Sequence, residues 1–67
     1  MILVNGQPTD VAPGATIADL LDHLDVPSDA RGVAVAVDAE VVPRSQWTTV
    51  TVADGARVEV LTAVQGG

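Results

Sequence analysis

The chain has no cysteine and no lysine among its 67 residues. Without cysteine there is no disulfide framework, no thiolate metal site and no thiol nucleophile. Without lysine there is no Schiff base, no P-loop lysine and no side-chain amine to accept an isopeptide bond. Aromatic residues are nearly absent as well, Trp47 being the only one. Basic residues are scarce: Arg31, Arg44 and Arg57 stand against nine carboxylates, for a net charge of −6. Nucleic-acid backbones and anionic membrane surfaces are bound by clusters of Lys and Arg, so this balance argues against both as partners. It suits a partner protein that presents a basic face, and it equally suits a small protein kept soluble by its charge. No apolar run approaches the roughly 20 residues of a membrane span, and no basic stretch followed by an apolar one opens the chain. The expectation is a cytoplasmic protein.

What is present is aliphatic. Hydrophobic residues make up 48% of the chain, which argues against disorder. A chain this short forms one domain and buries only about 60% of its unfolded surface, so Val, Leu, Ile and Ala must supply nearly all the stability. Their spacing sorts them into elements. Met1 to Val4 is β-prone and runs into Asn5-Gly6, the strongest short hairpin signal. Gln7 to Val11 reads as the return strand, with Pro8 placing it at an edge. Ala12-Pro13-Gly14 breaks the pattern. Across Thr16 to Leu24, Ile17, Leu20, Leu21 and Leu24 fall at i, i+3, i+4 and i+7, the spacing of one helical face. Thr16 with Asp19 three residues on resembles a capping box, and Pro27 ends the helical region.

Gly32 to Val37 is apolar on both faces, which predicts a strand covered in part on each side. Asp38-Ala39 reads as a turn and Glu40-Val41-Val42 as a return strand stopped by Pro43. Arg44 to Trp47 is irregular or a single helical turn. Thr48 to Val52 alternates and reads as a further short strand, Ala53 to Ala56 as a turn, and Arg57 to Thr62 as the last strand. The order is hairpin, helix, hairpin, irregular segment, strand. The simplest architecture is α+β: a mixed sheet of four to five strands with one helix across one face, the helix crossing between two hairpins and setting their strands side by side. That is the β-grasp, or ubiquitin-like, layout. The expected organisation is a β-grasp domain over residues 1–62 and a C-terminal tail over residues 63–67.

Side chains suited to catalysis are few. His23 is the only histidine and falls on the polar side of the helix with Asp19, Asp22 and Asp25. Asp19 and His23 stand one turn apart, as a weak exposed pair would. A metal site from Asp19, Asp22 and His23 is thinkable, but these are ordinary solvated helix residues, and no metal is expected. Ser28 and Ser45 have no histidine near them in sequence, and no Gly-rich motif joins a strand to a helix. No residue is assigned a catalytic role. Trp47 either plugs the end of the small core or stands exposed as an anchor for a partner; the core reading is preferred. Arg44 could bond a carboxylate or cap a loop.

The last two residues, Gly66 and Gly67, follow almost directly on the last strand. Glycine has no Cβ, so such an end can enter a channel too narrow for side chains and offer its terminal carboxylate to a partner enzyme. Chain ends are also commonly frayed.

The stretches Val33–Val37, Glu40-Val41-Val42-Pro43-Arg44-Ser45-Gln46-Trp47 and Asp54–Gly67 together resemble the thiamin-biosynthesis sulfur carrier proteins. The resemblance covers essentially the whole chain. Its most specific parts are Val42-Pro43-Arg44 with Trp47, and the terminal Ala63-Val64-Gln65-Gly66-Gly67. An acidic residue often follows the Asp-Gly of the last turn in that family; here it is Ala56, a departure confined to a turn. The resemblance implies a β-grasp fold and a carrier that is acted on rather than an enzyme. An E1-like adenylating enzyme would use ATP and magnesium to adenylate the carboxylate of Gly67. A persulfide sulfur donor would convert it to a thiocarboxylate, and thiazole synthase would take the sulfur. Gly67 carries over as the modified residue and Gly66 as the spacer that lets it enter both enzymes. Two neighbouring classes are alternatives. The small subunit of molybdopterin synthase is usually longer and has a proline shortly before its Gly-Gly, where this chain has Val64 and Gln65. A ubiquitin-like protein modifier would form isopeptides on other proteins. A purely binding β-grasp domain would be indifferent to loss of Gly66 and Gly67.

Overall fold

The chain reverses at Asn5-Gly6 and again at Asp38-Ala39, and both residues of each pair have positive φ: 50° and 82°, then 50° and 70°. Two left-handed residues in a row are what a type I′ turn requires, and the twist of that turn matches paired strands. The computed structural model describes residues 1–26 and 32–62. Its first turn joins β1 (Ile2–Val4) to β2 (Gln7–Thr9), and its second joins β3 (Val33–Val37) to β4 (Glu40–Val42). Helix α1 (Ile17–His23) lies between the hairpins in sequence. A 3-10 turn (Arg44–Gln46) and β5 (Arg57–Thr62) follow.

The sheet order is β2-β1-β5-β3-β4. The expected α+β architecture, a mixed five-stranded sheet with one helix, is therefore realised, with Pro8 on an edge strand where its missing N–H costs no ladder bond. One expectation is corrected. The two hairpins are not side by side, because β5 lies between them. It runs parallel to β1 (Leu3↔Arg57, Val4↔Val58) and antiparallel to β3 from Val37↔Val58 to Val33↔Thr62. β3 is also less covered than its sequence suggests: Val35 is buried and Val33 and Val37 half-buried, but Ala34 is exposed. Alternation puts Ala34 on the face that the helix does not cover.

The capping box is present. The Thr16 hydroxyl accepts from the Asp19 amide at 3.1 Å, and the Asp19 carboxylate accepts from the Thr16 amide at 3.0 Å. The next orphan amides of the helix start find partners in a distant loop. Ile17 N donates to Val50 O at 3.1 Å and Ala18 N to Trp47 O at 2.9 Å. This explains why Thr48 to Val52 is not the strand its alternation predicts. Its carbonyls are turned towards the helix terminus, and it joins the sheet pattern only as an isolated bridge between Thr51 and Thr16. Helix α1 ends before Pro27, which lies outside the described residues. Asp25 takes φ 59°, its amide donates to Asp22 O, and Val26 N donates to Leu21 O at 2.8 Å. That is a Schellman motif with Asp where Gly is usual.

The apolar stripe of α1 packs on the sheet. Ile2, Ile17, Leu20, Leu21, Val35 and Val58 are fully buried. Trp47 closes one end of this core, 3% exposed, with its indole N–H donating to Val42 O at 2.9 Å. The Arg44 guanidinium lies 4.8 Å over the indole ring, a cation–π contact. The core reading of Trp47 is thus the correct one. At the other end, Gly55 N donates to Met1 O at 2.8 Å, and the Met1 ammonium pairs with Asp54.

Three outcomes follow from this packing. Trp47→Ala should cost about 3 to 5 kcal/mol, most of the stability of so small a domain, and abolish the cooperative thermal transition seen by circular dichroism. Ala39→Gly should raise stability by about 0.5 to 1 kcal/mol, read as a higher urea midpoint at unchanged m. Relief of a left-handed alanine gives about 1 to 2 kcal/mol, partly offset by the freer unfolded chain. The hydrogen bond to Asp54 raises the pKa of the Met1 ammonium, and the same bond lowers that of Asp54. The pair's contribution is therefore complete between about pH 4 and pH 8. It is lost below as Asp54 protonates and above as the ammonium deprotonates. Asp54→Asn should flatten the melting temperature against pH at both ends of that window, by a small amount because the pair is exposed.

Candidate functional site at the end of the last strand

β5 leads into the C-terminal segment. Its last residue, Thr62, is followed by five more, ending in Gly66 and Gly67. Those two predicted site residues, like the rest of the expected tail over 63–67, lie outside the described residues. An extended residue spans at most about 3.6 Å, so covalent geometry alone keeps Gly67 within about 18 Å of Thr62.

The root of that segment is well defined. On one side β3 pairs with β5 from Val58 to Thr62. On the other, β1 supports only its first half, through Leu3 N to Ala56 O at 3.0 Å and Asn5 N to Val58 O at 2.9 Å. The chain of β1 then turns away, but the Asn5 side chain continues the ladder. Its Nδ2 donates to Val60 O at 3.0 Å, and its Oδ1 accepts from Val60 N at 2.9 Å. A carboxamide offers the same donor and acceptor as a peptide group, so Asn5 serves as one further rung. Reading the sequence marked Asn5 only as a turn former. Nothing local reveals a partner 55 residues away; the one signal is that Asn, unlike Gly, Pro or Asp, has a side chain that offers the donor and acceptor of a peptide group.

The face of the sheet away from α1 is open. Because Val35, Val58 and Val60 point into the core, their neighbours Ala34, Ala36, Glu59 and Leu61 point outwards. Leu61 is 66% and Val41 73% exposed. The pairings Ala34↔Leu61 and Ala36↔Val41 bring these four apolar residues together beside the end of β5.

The other sequence candidates do not assemble. Asp19 spends its carboxylate on the Thr16 amide rather than on His23. Asp10, Asp19, Asp22 and His23 line a shallow groove between α1 and the loop before it, yet no three His, Asp or Glu among the described residues are placed to hold a metal ion. Ser45 is exposed in the 3-10 turn, and Ser28 lies outside the described residues. Every described titratable side chain is exposed. No described helix is long and apolar enough to cross a membrane.

A mixed sheet centred on a parallel β1–β5 pair, one helix across one face and a C-terminal Gly-Gly define a ubiquitin-like β-grasp protein. The sequence profile of the ThiS family matches residues 2–67. The sulfur carrier protein ThiS of Escherichia coli K12 is 36% identical over 66 residues, which are 98% of this chain and 97% of that protein. A crystal structure of the thiamine biosynthesis protein ThiS from Geobacter metallireducens superposes with a TM-score of 0.80 at 37% identity, covering 98% of this chain and 97% of that one. A thiazole synthase of Paramagnetospirillum magneticum is 35% identical over 66 residues, 98% of this chain but 20% of that longer protein. The chain belongs to the ThiS family, the sulfur carriers of thiamin biosynthesis.

Proposed function

We propose that the reactive group of this carrier is the carboxylate of Gly67, with Gly66 as the spacer that lets it reach a partner's active site. The observation that carries this reading is the full-length family match, which runs through the terminal Gly-Gly. A free carboxylate is a poor electrophile and must be activated. An E1-like adenylating enzyme, using ATP and magnesium, would let a Gly67 oxygen attack the α-phosphorus, with pyrophosphate leaving. The terminal sulfur of a persulfide donor would then attack the acyl carbon, with AMP leaving. Cleavage of the remaining S–S bond by a thiol would free the thiocarboxylate. The carrier contributes no acid or base to these steps. Its β-grasp body, residues 1–62, presents the tail of residues 63–67.

The recipient is thiazole synthase. Support comes from the Paramagnetospirillum magneticum thiazole synthase, in which a segment similar to this chain is part of the same polypeptide. Any enzyme that encloses the tail must also meet the apolar group of Ala34, Ala36, Val41 and Leu61 beside the end of β5.

Gly67→Val tests the reading. A Cβ at the terminus should lower pyrophosphate exchange with the adenylating enzyme by about a hundredfold, the cost of misplacing a reacting group by an ångström, while the melting temperature stays unchanged. Undiminished exchange would show that the terminus needs no passage as narrow as glycine. A lower melting temperature would place the tail in the core.

A further inference from the structure

We infer that Asn5 is a positioning residue for the carrier reaction: its carboxamide clamp on Val60 sets the point and direction in which the reactive C-terminus leaves the sheet. The inference rests on the proposed role of Gly67. β5 has two halves with different support. Both edges are held at Val58, by β1 and by β3, and at Arg57, by β1 and by Asp38 of the turn after β3. Past Val58, Asn5 alone among the described residues holds the β1 edge, through the two bonds to Val60. Asn5 is itself fixed from behind. Its amide donates to Val58 O, and its φ of 50° belongs to the turn shared with Gly6. The side chain therefore has little freedom, and its reach to Val60 is set by the hairpin.

The consequence lies two residues further on. Val60 is the last residue of β5 buried against α1; Leu61 and Thr62 are exposed. Without the clamp, the end of β5 would hang from β3 only, through Ala34↔Leu61 and Val33↔Thr62. A strand end held on one edge opens more readily than one held on two. Each opening swings the root of a tail whose far end must meet a small target. The fraction of carriers poised to enter a partner would fall, and apparent affinity falls with that fraction. The chemistry after entry would be unaffected.

The test compares full-length wild type, Asn5→Gly and Thr16→Ala; glycine removes the carboxamide but keeps the positive φ of the turn, which alanine would strain. Thr16→Ala removes a helix cap whose hydroxyl bonds Asp19 and not β5, and serves as a control for stability loss elsewhere in the domain. Two readouts are taken. In amide hydrogen exchange, Asn5→Gly should speed exchange at Leu61, whose amide Asn5 does not touch, by about a hundredfold relative to the Val58 amide, the loss of two hydrogen bonds; Thr16→Ala should leave that ratio unchanged. Equal ratios in all three proteins would overturn the inference whatever the adenylating enzyme does. In pyrophosphate exchange with an E1-like enzyme and ATP, Asn5→Gly should raise KM for the carrier at least about threefold with kcat unchanged, and Thr16→Ala should move neither. An unchanged KM, or an equal rise in Thr16→Ala, would leave Asn5 a structural residue and contradict the inference. If wild type itself supports no exchange, the proposed role of Gly67 fails, and the clamp is judged on hydrogen exchange alone.

Discussion

The structure depends on β5 being the central strand. Among the described residues it is the last strand in sequence, yet it lies between the first and the third and alone is bonded to strands of both hairpins. The β1–β5 pair joins residues more than 50 positions apart, so neither hairpin has a completed core until the C-terminal segment arrives. Buried Val58 and Val60 then face α1 from the middle of the sheet. The same arrangement roots the C-terminal segment in a central strand, backed by β3 from Val58 to Thr62 and by β1 and the Asn5 side chain as far as Val60. Fold and presentation of the terminus are one constraint.

Around this strand, a small aliphatic core is completed by contacts that work over long sequence distances. The loop of Trp47 to Val52 supplies carbonyls to the start of α1 and an indole to close the core. Asn5 supplies a peptide-like rung to β5. These polar links let a short helix start cleanly and a short strand pair extend further than its backbone allows. With no cysteine to staple the domain, they take on part of that work.

Much of this was legible in the sequence. Asn5-Gly6 named its turn, because few residue pairs tolerate two positive φ values. The i, i+3, i+4, i+7 spacing of Ile17, Leu20, Leu21 and Leu24 named the helix face, and Thr16 with Asp19 named its cap. What was missed is non-local. The alternation of Thr48 to Val52 looks like a strand, but its backbone is recruited by the helix terminus, which no local pattern records. The position of β5 between the hairpins is a matter of topology, and the grip of Asn5 on Val60 links opposite ends of the chain. For function the balance reverses. Gly66 and Gly67 stand out in the sequence and lie outside the described residues, whereas the structure describes what holds the strand that leads to them.

The chemistry proposed for this carrier takes place on its own C-terminus. Its most direct test is the intact mass of the full chain after incubation with an E1-like adenylating enzyme, ATP, magnesium and a persulfide donor. The expected result is a gain equal to one sulfur in place of one oxygen, mapped by fragmentation to Gly67. An unchanged mass, with the adenylating enzyme shown to be active on another carrier, would contradict it.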